Sequence, residues 1–324
     1  MIRRVLTILL VASLVSGVFA QRGPGGGPDR PRNALLEKAM RVQSKLRFTG
    51  TRRLLVRLGP EAKENIEKVW QDGQRSRVEF ERGSADEGQI IVIASGVRSH
   101  FFPEANEIQV RPVRMEEPLA RLGEIVRGGG RGAQVRESGG GAVAGQRTVL
   151  LSFVDPNGNV AGKLWIDPDT AMVLKRELFD PSGRLVGSME FLSVNSNPSF
   201  DENDFKIVRK GAKIVTVDEL LRRQSVQAGV RPLRIPETQG GFLLESVKVI
   251  PLGDGRKALA QSYFGADGQR VSMYLTRGTM DLGRLQRLQG PHLASVTKRV
   301  GDFTIVLIGS MPATELQRLA DQVR

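Results

Sequence analysis

Two histidines, His100 and His292, and no cysteine leave this sequence with little of the usual material for a metal centre or a nucleophile. A zinc site needs three or four converging His, Cys or carboxylate ligands, and two isolated imidazoles do not provide them. The absence of cysteine also removes thiolate chemistry, disulfides and a lipid-modified N-terminal cysteine. Carboxylates are plentiful. They sit in turns, as at Asp167 and Asp169, or side by side on a helix surface, as at Glu116 and Glu117, and no spacing sets a protected acid opposite a base. The run Asp201-Glu202-Asn203-Asp204 lacks the loop length and spaced ligands of a calcium loop and reads as a solvated turn. No GxSxG elbow, phosphate loop or dinucleotide fingerprint occurs. The expectation is a binding protein, with no enzymatic activity, no cofactor and no metal.

If the chemistry is binding, the elements that shape a surface matter most, and three turns mark them. Asp155-Pro156-Asn157-Gly158, Asp167-Pro168-Asp169-Thr170 and Asp180-Pro181-Ser182-Gly183 each place an Asp to hydrogen-bond back into the turn and a Pro to preset φ at the next position. The chain must reverse at each. The intervening runs Val149–Val154, Asn159–Ile166, Met172–Phe179 and Leu185–Val194 then read as four consecutive antiparallel strands of a meander.

Length and charge bound the rest. At 324 residues and 35.5 kDa the chain is long enough for about two domains, and 40% hydrophobic residues suffice for sizeable cores. Arg3 and Arg4 followed by an apolar run from Val5 to Phe19, with Val18 and Ala20 at small-residue positions, read as a cleaved secretory signal over residues 1–20. The run is short against the roughly 20 residues that span a bilayer, so an uncleaved anchor is the lesser reading. Export changes the meaning of a formal charge of +13, which falls to +11 without the two arginines, and of a pI near 10.5. Inside a cell such a balance points to nucleic acid; outside the cytoplasm it points to anionic lipid head groups, lipopolysaccharide phosphates or an acidic protein segment, or simply to dispersed solvated charge.

Along the chain, residues 21–32 are rich in Gly, Pro and Arg and form a flexible lead-in. A first domain over residues 33–208 opens with a helix capped by Asn33, its stripe being Leu35, Ala39, Val42 and Leu46. Alternation follows, with Leu54, Val56 and Leu58 on one face and Arg53, Leu55 and Arg57 on the other, the Gly59-Pro60 pair ending the strand. Short strands are expected over Ile66–Gln71, Ser76–Glu81, Gln89–Ala94, Arg98–Phe102 and Glu107–Val113. A short helix from Pro118 to Arg127 has the apolar face of a lid, and the glycine-rich stretch 128–145 is expected to be mobile rather than part of a core. Its Arg-Gly mixture superficially resembles an RNA-binding tail, but export and the lack of aromatic residues argue against base stacking. Polar residues from Asn195 to Lys213 mark the exit to a second domain, residues 209–324. That domain carries a helix at Val217–Gln227, strands over Phe242–Pro251, Lys257–Phe264, Gln269–Thr276, Ser295–Gly301 and Asp302–Ser310, hairpin turns at Gly253 and Ala266, and a final helix from Pro312.

A curved sheet puts alternate residues on its inner face, and here those residues assemble an apolar concavity from Leu54, Val56, Trp70, Phe80, Ile91, Ile93, Leu164, Ile166, Met189 and Phe191. It either admits an acyl chain or apolar side chain, or is an ordinary packed core between sheet and helix.

The opening helix, Phe48-Thr49-Gly50-Thr51 at the start of a long antiparallel sheet, and the phrase LWIDPDTAMVLKRELFDPSGRLVGSMEF from Leu164 to Phe191 resemble the N-terminal domain of the MucB/RseB family, itself similar to the lipoprotein carriers LolA and LolB. Gly240-Gly241-Phe242, the Asp267-Gly268 hairpin before Val271–Leu275 and the closing GSMPATELQRLADQV resemble that family's C-terminal domain. The resemblance implies an α+β chain: a LolA-like curved antiparallel half-barrel with a helical lid, plus a smaller C-terminal α+β domain. It further implies a periplasmic regulator of the sigma-E envelope-stress response. Such a protein binds the periplasmic segment of a membrane anti-sigma factor and senses lipid or lipopolysaccharide, with no nucleic acid among its partners. A periplasmic lipid or lipoprotein carrier of LolA type and an envelope scaffold without a ligand remain as alternatives.

Overall fold

A computed structural model describes residues 33–58, 61–113, 134–237, 241–252, 255–265, 269–280 and 293–324. The signal sequence, the lead-in, the lid helix at Pro118–Arg127, His292 and the turn residues Gly253 and Ala266 lie outside the described residues. In chain order the elements are α1 (Ala34–Val42), β1 (Arg47–Leu58), β2 (Glu61–Asp72), β3 (Arg75–Phe80), β4 (Ile90–Ala94), β5 (Val97–Phe102) and β6 (Glu107–Pro112). There follow β7 (Gln134–Val143), β8 (Gln146–Val154), β9 (Val160–Ile166), β10 (Val173–Phe179), β11 (Leu185–Asn195), β12 (Lys213–Thr216) and α2 (Val217–Ala228). The chain closes with β13 (Leu243–Pro251), β14 (Lys257–Phe264), β15 (Arg270–Arg277), β16 (Ala294–Val300), β17 (Phe303–Gly309) and α3 (Ala313–Gln322). Strand predominates over helix, and the chain divides into two compact units, the first holding the described residues up to Asn106 and from Gln134 to Gly211, the second holding β6 and everything from Ala212 onward.

In the first unit two antiparallel meanders share one sheet in the order β5-β4-β3-β2-β1-β11-β10-β9-β8-β7. Strand β1 is the seam, paired with β2 along Arg47–Leu58 and with β11 from Thr49 to Val56. The sheet is strongly curved: β7 touches β11 although β8, β9 and β10 separate them in the ladder. Helix α1 lies on the inner face. Asn33 caps it as expected, its Oδ1 accepting from the Leu36 amide at 2.9 Å, while Leu36 rather than Leu35 joins Ala39 as the fully buried pair of the stripe. Lys38 Nζ ties the helix to the second Asp-Pro turn by donating to the carbonyls of Pro168 and Asp169, at 3.1 and 2.9 Å.

The three Asp-Pro turns form as their residues dictate. Asp155 Oδ1 accepts from the amides of Asn157 and Asn159, Asp167 Oδ1 from Asp169, and Asp180 Oδ1 from Ser182 and Arg184, so each side chain substitutes for the missing cross-strand partner at the bend. The four strands between them are β8 to β11, neighbours in sequence order.

The described part of the glycine-rich stretch, residues 134–145, is strand and turn where mobility was expected; residues 128–133 lie outside the described residues. Gln134–Val143 is the edge strand β7, paired with β8 through a bulge between Gly139 and Gly141. Glycine serves close approach here: a Cβ on Gly140 would collide with the Thr148 hydroxyl and stand 3.0 Å from the Trp165 ring. The polar stretch after β11 is also more ordered than a simple exit. Residues Glu202–Phe205 form a 3-10 turn closed by a capping box from Asp201, and Phe205 is buried against β3 and β4.

The second unit is smaller. Its five-stranded antiparallel sheet runs β13-β14-β15-β17-β16, and one face is buried with α2 and α3 in a core that includes Leu221, Leu259, Met273, Ile305 and Leu316. Tyr263 lies within that core, its hydroxyl accepting from the Ile235 amide at 3.1 Å, and burial raises its pKa above the usual phenol value. Strands β6 and β12 pair in parallel beside α2, where Arg223 donates to both Glu107 oxygens at 2.9 and 3.0 Å.

Two predictions follow from these turns and the bulge. Gly140→Ala destabilises the protein by about 1–3 kcal/mol and Gly139→Ala, with nothing within 4 Å of its Cβ position, by no more than about 0.5 kcal/mol; equal effects in chemical denaturation contradict the register. The Asp155 carboxylate is held below the ordinary range chiefly by the Asn159 amide and the Asp180 carboxylate chiefly by the Ser182 hydroxyl. A carboxyl group with a lower pKa folded than unfolded adds stability above its unfolded pKa of about 4 and loses it as pH falls through its folded value. The double variant Asp155→Asn/Asp180→Asn therefore shows a shallower acid-side fall in melting temperature than the parent, and an identical slope contradicts the assignment.

Candidate functional site

Register decides which side chains share the inner face. Val69 pairs with Val78 and Val78 with Ile91, while Leu54 pairs with Met189 and Arg52 with Phe191. Paired residues project to the same side of a sheet, and residues two apart along a strand do likewise. Leu54, Val56, Phe80, Ile91, Ile93, Leu164, Ile166, Met189 and Phe191 thus lie on one face, the face that carries α1. Trp70 does not. It alternates with Val69 and projects outward, pairing with Arg77, whose guanidinium carbon is 5.8 Å from the ring centre.

The inner face has two parts. Toward β7 it is a solid core: Leu164 and Ile166 are 0% exposed, Phe191 3% and Met189 8%, with Phe48 edge-on to Phe191 at 5.5 Å and Leu36 and Ala39 of α1 packed in the same cluster. Toward β5 the face is more open and forms a shelf in two parts, the half-buried Leu54 and Val56 on β1 and the half-buried Val78, Ile91 and Ile93 on β3 and β4. Phe80, 8% exposed, is the buried residue at its margin.

A polar strip on β2 runs between the two parts of the shelf, with Asn65 opposite Leu54 and Lys63 opposite Val56, and sequence reading missed it. Arg52 Nε donates to Glu67 Oε2 at 2.7 Å, with the Glu67 side chain 3% exposed. The loop after β3 brings Asp86 onto β2, where its two oxygens accept from Lys63 Nζ at 2.7 Å and Asn65 Nδ2 at 2.9 Å. Gln89 links this group to His100, donating to Asp86 at 3.3 Å while its Oε1 lies 2.8 Å from the imidazole Nε2. The missed signal is the alternation Lys63, Asn65, Glu67, Val69, which puts polar residues on the same face as a core valine. Chemically, an aliphatic shelf beside paired charges suits an amphipathic guest with an apolar body and a polar end. Among the described residues no group of three or more His, Asp or Glu is placed to hold a metal ion, and no helix is long and apolar enough to cross a membrane.

The buried pair sets a test of this geometry. Arg52→Ala strands Glu67 and destabilises the protein by about 3 kcal/mol, whereas Arg52→Met/Glu67→Met costs much less. If the single variant is as stable as the parent in urea titration, the pair does not hold the strip.

No family model matches the sequence, and no curated protein matches it. Among solved structures, the complex of MucA and MucB from Pseudomonas aeruginosa is similar at 18% identity over 90% of this chain and 97% of that one, with a TM-score of 0.42. A crystal structure of MucB is similar at 18% identity over 93% and 99% of the two chains, with a TM-score of 0.43. A LolA superfamily protein from Nitrosomonas europaea shares 13% identity over 86% and 90%, with a TM-score of 0.23. The alignments to MucB span most of this chain.

Proposed function

We propose that this chain is an exported, non-enzymatic binding protein of the MucB/RseB kind, acting in the periplasm as a regulator of the envelope-stress response. The first unit acts as a LolA-like half-barrel, and its guest is a lipid or lipopolysaccharide acyl chain. The partner is the periplasmic segment of a membrane anti-sigma factor, as MucA is the partner of MucB in the solved complex. The observation that carries the reading is the set of half-buried aliphatic side chains on the inner face, Leu54 and Val56 on one side of the charged β2 strip and Val78, Ile91 and Ile93 on the other, with Leu54 and Val78 packed against the buried core. Regulation then requires that guest and partner differ in affinity for two states of the protein, since a ligand that binds both states equally shifts nothing.

A carrier of LolA type uses the same shelf and needs only the first unit. The second unit, with its own core, favours a regulator, because a carrier has no evident use for it.

Native mass spectrometry after gentle extraction tests the proposal. The parent protein is expected to retain a lipid, and a folded Ile93→Asp variant to retain none, because a carboxylate on the shelf opposes an acyl chain. Lipid retained by the folded variant contradicts the shelf as the binding surface, and co-purification of a single-pass membrane protein separates regulator from carrier.

A further inference from the structure

Five large hydrophobic side chains are exposed among the described residues, and two of them, Val208 at 80% and Ile214 at 64%, fall on the single stretch Lys206–Ile214, which also carries Arg209, Lys210 and Lys213. A lone exposed valine is ordinary. This one is held in place by an unusual set of fixings. Arg77 Nη1 donates to the carbonyls of Asp204 and Lys206 at 3.2 and 2.7 Å, the Arg75 guanidinium lies 4.6 Å from the centre of the buried Phe205 ring, and that of Arg209 lies 5.6 Å from Phe101. The backbone leaves the 3-10 turn extended at Lys206, with φ −127° and ψ 146°, and turns at Lys210. Phe205 is buried and Ile207 half-buried, while Lys206, Val208 and Lys210 are exposed, as is Arg209, whose guanidinium reaches the Phe101 ring.

We propose that this Lys206–Val208–Lys210 ridge, on the outer face of the first unit, is a site of attachment to an anionic bilayer surface. A protruding aliphatic side chain between two ammonium groups suits the headgroup region, where the valine enters the interface and the lysines meet phosphates. Lys210 has no ion pair among the described residues, and Lys206 has only an exposed contact with Glu202 at 3.6 Å. The net charge, +11 once Arg3 and Arg4 are removed from the +13 of the full sequence, adds long-range attraction to such a surface. A folded acidic partner would instead have to supply a pocket for Val208, so the bilayer is the better fit to a ridge that stands proud. The inference is independent of the inner-face shelf, which lies on the opposite side of the same sheet.

The test is sedimentation of the full chain with phosphatidylcholine vesicles, with and without one-quarter phosphatidylglycerol. The parent is expected to bind only the anionic vesicles and to be released by high salt. Lys206→Gln/Lys210→Gln is expected to weaken partitioning at least about tenfold, Val208→Asp several-fold, and Lys206→Arg/Lys210→Arg to leave it unchanged. Arg299→Gln/Arg318→Gln removes two exposed charges from the second unit and is expected to change it by less than about twofold. The proposal is overturned if the parent ignores anionic vesicles, or if the control loses as much as the ridge variant. It is also overturned if the ridge variant keeps vesicle binding but loses binding to a polyglutamate peptide. Lipid retention in native mass spectra remains a separate readout, so failure here leaves the shelf reading standing.

Discussion

The double pairing of β1 is the constraint on which the first unit depends. One strand hydrogen-bonds β2 on one side and β11 on the other, and so joins two meanders that share no other ladder among the described residues. The seam is tight. A Cβ on Gly50 would stand 2.5 Å from the Ser193 carbonyl oxygen and 3.2 Å from the Phe191 ring, and the register shifts by a bulge between Thr51 and Arg52. Because side chains alternate along a strand, this register also fixes which residues of all ten strands look inward. Leu54 and Met189 meet across the seam, and the packed and open parts of the inner face follow from it.

Much of this was legible in the residues. The Asp-Pro turns encode their own bends through the Asp side chain, so β8 to β11 were readable as a meander, and Asn33 and Pro312 announced the starts of α1 and α3. What was not legible involved contacts distant in sequence. The glycines around Gly140 signal flexibility locally, yet the side chain absent at Gly140 makes room for Thr148 across the hairpin and for Trp165 of β9, beyond it. Glu67 and Asp86 are charged residues that burial tolerates only because Arg52, Lys63 and Asn65 arrive from neighbouring positions. Phe200 and Phe205 sit in a polar stretch and read as loop, and only the arginines of β1 and β3 that stack on them reveal an anchored strap.

The candidate site was half legible for the same reason. Alternation placed nine of its ten residues on one face, but periodicity carries no information on how completely a face is covered. Leu164 and Ile93 look alike in sequence, and one is 0% exposed while the other is half-buried. The difference lies in where α1 comes to rest, over the β7 side of the sheet, where its Asn33 donates to Glu137 at 2.9 Å and its Leu36 and Ala39 fill the core. The function proposed for the chain is thus tied to an asymmetry of covering within one continuous sheet.

Methyl-resolved NMR of the isotopically labelled protein, titrated with a short-chain phospholipid, tests that asymmetry most directly. The account predicts progressive shifts at the methyls of Leu54, Val56, Ile91 and Ile93 with those of Leu164 and Ile166 unmoved. Shifts at neither set, or at Leu164 and Ile166 alone, would contradict a guest-binding shelf on the inner face.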